Sequence, residues 1–154
     1  METNGERMDI TFARIQPPME FKQTEIDFDP LKIDEGNKLY VDESEIALPD
    51  KDSLYGFFGK VEPEFRDMQI ASKPTLKNDL KFHRTSGVFH MFLTPKLIVD
   101  SKKYQGCSGA PILDYQGKIV AVACSVRPNT KIIYGFSIQE CIRLLQLAIE
   151  TKQI

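Results

Sequence analysis

Gly106-Cys107-Ser108-Gly109-Ala110-Pro111 is the stretch on which the reading of this chain turns. A serine nucleophile must project from a tight loop into a cleft, and it needs backbone N–H groups aimed at the oxyanion that develops on its target. Glycine at 106 permits a backbone conformation that a Cβ forbids and leaves its amide approachable. Glycine at 109 relieves crowding just after the serine, and Pro111 fixes the exit into a strand. The amides of Gly106 and Ser108 are then the natural oxyanion donors. The same six residues also suit an ordinary Gly/Ser turn between two strands.

Outward from this loop the pattern is β. Residues 111–113, 118–126 and 131–136 follow as apolar segments, separated by the turn signals Tyr115-Gln116-Gly117 and Arg127-Pro128-Asn129-Thr130. Before the loop, residues 54–61, 65–72, 80–84 and 88–99 are strand candidates, the last broken or bulged at Pro95. Short strands at close spacing with no helices between them predict an all-β fold, a six-stranded antiparallel Greek-key barrel. One helix closes the chain. Ser137-Ile138-Gln139-Glu140 has the form of a capping box, and Ile138, Cys141, Ile142, Leu145, Ala148 and Ile149 share one face. Ser137 is therefore a cap, not a nucleophile, and Cys141 a small core residue.

The bulk numbers bound the function. With 154 residues, 42% apolar and 27% charged, the chain can bury a real core. A net charge of −2 offers no basic face, so neither nucleic acid nor an anionic membrane is an expected partner. The polar start, Met1-Glu2-Thr3-Asn4-Gly5-Glu6-Arg7, lacks the apolar core of a signal peptide. Three cysteines without zinc spacing, at 107, 124 and 141, fit a reducing, cytoplasmic setting. Their even spacing falls on different kinds of element and marks no repeat. Between Glu20 and Asp52 acidic residues far outnumber lysines, which reads as a solvated connecting segment rather than as an acidic docking surface.

The flanks carry a resemblance. Ser108-Gly109-Ala110-Pro111-Ile112-Leu113-Asp114, followed by Gly117-Lys118-Ile119-Val120-Ala121-Val122, resembles the segment after the nucleophile in trypsin-like and HtrA-like serine proteases. Tyr134-Gly135-Phe136-Ser137-Ile138 resembles the strand that leads into their C-terminal helix. Ile46-Ala47-Leu48-Pro49 with Tyr55-Gly56-Phe57-Phe58-Gly59 resembles their interdomain crossing and the first strand of their second barrel. Met8-Asp9-Ile10-Thr11-Phe12-Ala13-Arg14-Ile15 looks like the family's aspartate strand. The likeness is strong over residues 106–145, weaker over 46–99 and faint over 17–45.

The resemblance implies a second barrel at 54–154, preceded at 1–53 by a remnant of the first barrel and the acidic segment. It implies Ser108 as nucleophile and Asp9 as the aspartate that orients a histidine. By register, Lys102 lies near the base of a specificity pocket and Cys124, Ser125 and Val126 along the strand that pairs with substrate. A lysine there would favour an acidic side chain, but a solvated surface lysine on the loop before the nucleophile is the stronger reading. Cys107 precedes the nucleophile position, so a cysteine nucleophile is rejected. It also replaces an aspartate that, in digestive members, pairs with a new N-terminus.

One component departs from the pattern. The family's chain order is histidine, aspartate, serine. The two histidines here, His83 and His90, both follow Asp9 and fall on strands of the barrel. The expectation is a serine endopeptidase present without its general-base segment and inactive alone. The alternative is a non-catalytic, protease-like module that binds extended peptides. The expected partner is a peptide or protein substrate, with self-association through the exposed first-barrel remnant. No cofactor or metal is implied.

Overall fold

A computed structural model describes residues 22–26, 33–37, 43–66 and 69–153, with side chains over 43–59 and 76–153. Asp9 and its strand lie outside the described residues. Two units divide the chain, and the larger, Val41–Leu144, is the barrel.

Six strands close the barrel: β3 (Leu54–Arg66), β4 (Gln69–Ser86), β5 (Phe89–Ile98), β6 (Pro111–Asp114), β7 (Ile119–Val126) and β8 (Thr130–Ser137). Their order is β3-β4-β5-β8-β7-β6, every pairing antiparallel, and short β3–β6 pairing at Tyr55↔Asp114 and Gly56↔Leu113 shuts the cylinder. The expected fold class is therefore the observed one. Helix α1 (Ile138–Glu150) follows β8 directly.

Two boundaries differ from the sequence expectation. The candidate strand at 65–72 spans the hairpin junction, where Arg66 of β3 pairs with Gln69 of β4. The candidate at 80–84 is the far half of β4. Prolines hid this continuity. Pro74 pairs with Lys60 on a stretch of β4 that β5, paired only with 81–86, leaves uncovered, and Pro63 sits at a register shift. Both are places where a missing N–H breaks no interior ladder. Pro95 behaves as expected: the β5–β8 register breaks between Leu93 and Ile98.

Inward-facing Phe57, Leu80, Phe92, Ile98, Ile112, Val120 and Ile133 fill the barrel. Each such side chain contributes about 1.5–3 kcal/mol through burial. Gly135 lets β8 approach closely, for a Cβ there would lie 2.8 Å from both Ala121 Cβ and Ile112 Cδ1.

The start of α1 is held differently from the expected capping box. Ser137 is still the last residue of β8, its N–H bonded to Val88 O at 2.9 Å. Its buried hydroxyl donates to Gln139 Oε1 (3.0 Å), and Gln139 Nε2 donates to Ala47 O (3.0 Å). Glu140 pairs instead with Arg143 at 2.8 Å. Held in β8, Ser137 turns its hydroxyl to the Gln139 side chain.

The other unit contains a two-stranded antiparallel hairpin, β1 (Lys22–Ile26) with β2 (Ile33–Asn37), where the sequence suggested a connecting segment. No described helix is long and apolar enough to cross a membrane.

Candidate nucleophile loop and cavity

β5 and β6 are consecutive in sequence but separated in the barrel by β8 and β7. Their connection must cross one end of the cylinder, and it carries residues 99–110. It begins with a 3-10 turn, Ser101–Tyr104, capped by Asp100, whose carboxylate accepts the Lys102 N–H at 2.9 Å.

Two tight turns follow, sharing Cys107. In the first, Cys107 N–H bonds Tyr104 O at 3.1 Å, with Gln105 at φ −63, ψ 135 and Gly106 at φ +83. Those angles define a type II turn, whose third position demands a positive φ and hence glycine. In the second, Ala110 N–H bonds Cys107 O at 3.1 Å, and Gly109 takes φ +89. Both glycines of the motif thus occupy the left-handed region, and Ser108 sits exposed at the tip between them. The exit is clamped to β7 by Gly109 N–H to Ala123 O (2.9 Å) and Ala123 N–H to Ala110 O (2.8 Å).

The shared residue anchors the loop. Cys107 is buried and packs against Gly59 of β3, where an added Cβ would lie 2.5 Å from its Sγ. Burial raises the Cys107 thiol pKa, and the Lys77 ammonium opposes this. A buried, protonated thiol is an inert packing group. Lys77 Nζ lies 4.5 Å from the Tyr104 ring centroid, bracing the first turn by a cation–π contact.

This architecture leaves two donors unused. The N–H groups of Gly106 and Ser108, the expected oxyanion donors, bond no acceptor among the described residues. Ser108 Oγ donates to Cys124 O at 3.2 Å. A peptide carbonyl cannot accept the proton outright, so this contact orients the hydroxyl without activating it.

Beside Ser108 opens a cavity of about 210 Å³. Phe57, Tyr104, Cys107, Ala123, Val126 and Ile133 supply its apolar wall, and Ser101, Gln105, Ser108, Cys124 and Ser125 its polar groups. The structure thus brings Ser108, Cys124, Ser125 and Val126 together. Gly106 adjoins them through the turn. Lys102 is exposed on the 3-10 turn and outside this lining. Phe57, Tyr104 and Ile133 were not singled out in the sequence: Phe57 and Ile133 lie on strands that only barrel closure gathers, and Tyr104, close to the motif in sequence, carries no local signal that it faces a cavity.

Neither histidine lines the cavity. His83 is exposed on β4, at a register shift. His90 is buried between β4 and β8, its Nδ1 2.9 Å from Thr85 Oγ1 and its ring edge-on to Phe82. Its Nε2 has no hydrogen-bond partner. Desolvation lowers the imidazole pKa. The nearby Gln139 amide opposes that, but it is committed to Ser137 and Ala47. His90 is therefore a neutral barrel residue. No metal-binding cluster of His, Cys, Asp or Glu occurs among the described residues.

Compared with known proteins, the chain matches no protein-family model, no curated protein and no solved structure.

Proposed function

We propose that this chain is the nucleophile-bearing part of a serine endopeptidase of trypsin-like type, inactive alone because its general base comes from outside these residues. Ser108 attacks a peptide carbonyl, and the Gly106 and Ser108 amides hold the resulting oxyanion. The substrate backbone runs beside Cys124 to Val126. The observation that carries this reading is the pair of unpaired amides flanking an exposed serine at the rim of a cavity. Central N–H groups are open in any β-turn, so what supports the reading is the combination of these amides with an exposed serine and an adjoining cavity.

A second reading has its own support. The placement of both histidines away from the cavity lining suits a non-catalytic module that binds extended peptides by strand addition beside Cys124 to Val126, past the end of the β6–β7 pairing.

A fluorophosphonate probe separates the two. The chain alone should not be labelled. Supplying concentrated imidazole as an external base should give slow labelling that Ser108→Ala abolishes. No labelling with imidazole at saturating probe would sink the enzyme reading in favour of the module. Ready labelling without imidazole would overturn the claim of a missing base, and its loss in His83→Ala or His90→Ala would identify the residue responsible.

A further inference from the structure

We infer that the cavity beside Ser108 selects an uncharged, apolar side chain of an extended peptide, from a residue next to the attacked bond. This deepens the peptide-site reading above and rests on it. The cavity lies immediately against the nucleophile, since Ser108 and the adjoining Cys107 are part of its wall. Whatever enters it therefore belongs to a residue next to the attacked bond.

Its chemistry is set by what lines it. Aromatic faces come from Phe57 and Tyr104 and aliphatic ones from Val126 and Ile133, with no charged side chain among the described lining residues. The nearby cations lie outside the lining. Lys77 is engaged with the Tyr104 ring, and Lys102 and Lys103 are exposed on the 3-10 turn. The acidic preference that Lys102 suggested therefore has no group inside the cavity to support it. A carboxylate or ammonium entering would lose water without gaining an opposite charge, and the hydroxyls of Ser101 and Ser125 cannot neutralise it. An apolar side chain loses nothing on entry and buries its surface.

The test is equilibrium binding, which needs no catalytic base. Acetyl-Ala-Ala-X-amide peptides, with X as Leu, Phe, Asp or Lys, are titrated into the ¹⁵N-labelled chain while the amides of Tyr104, Ser125 and Val126 are followed. Leu and Phe should shift these amides saturably, with Asp and Lys weaker by about tenfold or more. Ser101→Asp, which puts a carboxylate in the wall, should raise relative affinity for the Lys peptide by about tenfold. Equal or tighter binding of Asp or Lys to the unmodified chain would overturn the selectivity while leaving the peptide site intact. If no peptide shifts these amides, the peptide-site reading fails and the selectivity with it.

Discussion

Replacing Gly59 by alanine isolates the contact that anchors the loop carrying Ser108. Gly59 does not adopt a positive φ, so alanine suits its backbone and the perturbation is purely steric. The new Cβ would lie 2.5 Å from Cys107 Sγ, 3.1 Å from its Cβ and 3.2 Å from its Cα. Relief requires moving the loop, because the obstacle includes main-chain atoms. Overpacking of this kind costs about 1–3 kcal/mol, which for a domain of this size lowers Tm by about 3–10 °C. Cys107→Ala alone removes a buried sulfur and should cost about 1 kcal/mol. In the double variant the shortest contact disappears. Its cost should therefore fall short of the two single costs combined by at least about 1 kcal/mol. Urea unfolding under reducing conditions measures all four proteins, and amide spectra report whether Gly106 and Ser108 move in Gly59→Ala and return in the double variant. Costs that add to within about 0.5 kcal/mol would show that Gly59 and Cys107 do not couple, and the anchor would be lost from the account.

Gly135→Ala should destabilise by about 2 kcal/mol or more, since its Cβ meets Ala121 and Ile112 at 2.8 Å in the barrel interior; unfolding midpoints decide this. Gly106→Ala must hold φ +83, at a cost of about 1–2 kcal/mol, and should broaden or displace the Ser108 amide resonance. His90 makes stability pH-dependent. Its folded pKa is depressed, so the unfolded state binds a proton first as pH falls below about 6.5. Stability is full above that pH and declines as pH drops toward the folded value, a slope that His90→Leu should flatten in urea titrations between about pH 7.5 and 5. An unchanged slope would assign the acid sensitivity to other groups.

Local chemistry explains what the sequence made legible. Most barrel strands and α1 announced themselves through apolar runs and turn residues, and Pro95 marked the β5 break. The loop was legible because its two glycines sit at turn positions that need a positive φ. The β1–β2 hairpin was not, because its strands are largely polar and charged and carry little alternation. The bond pattern at Ser137 depended on Ala47, far off in sequence, and the cavity wall on which side chains barrel closure brings inward. Gly59 gave a partial signal, a glycine set in an aromatic strand, but its partner Cys107 emerges only from the packing.

What shapes the loop also limits what its shape means. Its conformation rests on two glycine turns, a buried Cys107, the Lys77–Tyr104 contact and the clamp to Ala123, all within the barrel unit. None of these involves a histidine or an aspartate. The donors are thus held open by the same packing that stabilises the barrel, whether or not a base is present. An imidazole brought to Ser108 would meet donors already in place, and the Cys124 carbonyl would release the hydroxyl as the new acceptor takes its proton. On the proposed endopeptidase reading, donors already in place would lower the cost of assembling an active centre, and the proton acceptor alone would decide whether chemistry occurs. For that reason the imidazole-dependence of Ser108 labelling, rather than any further refinement of loop geometry, separates a dormant enzyme from a binding module.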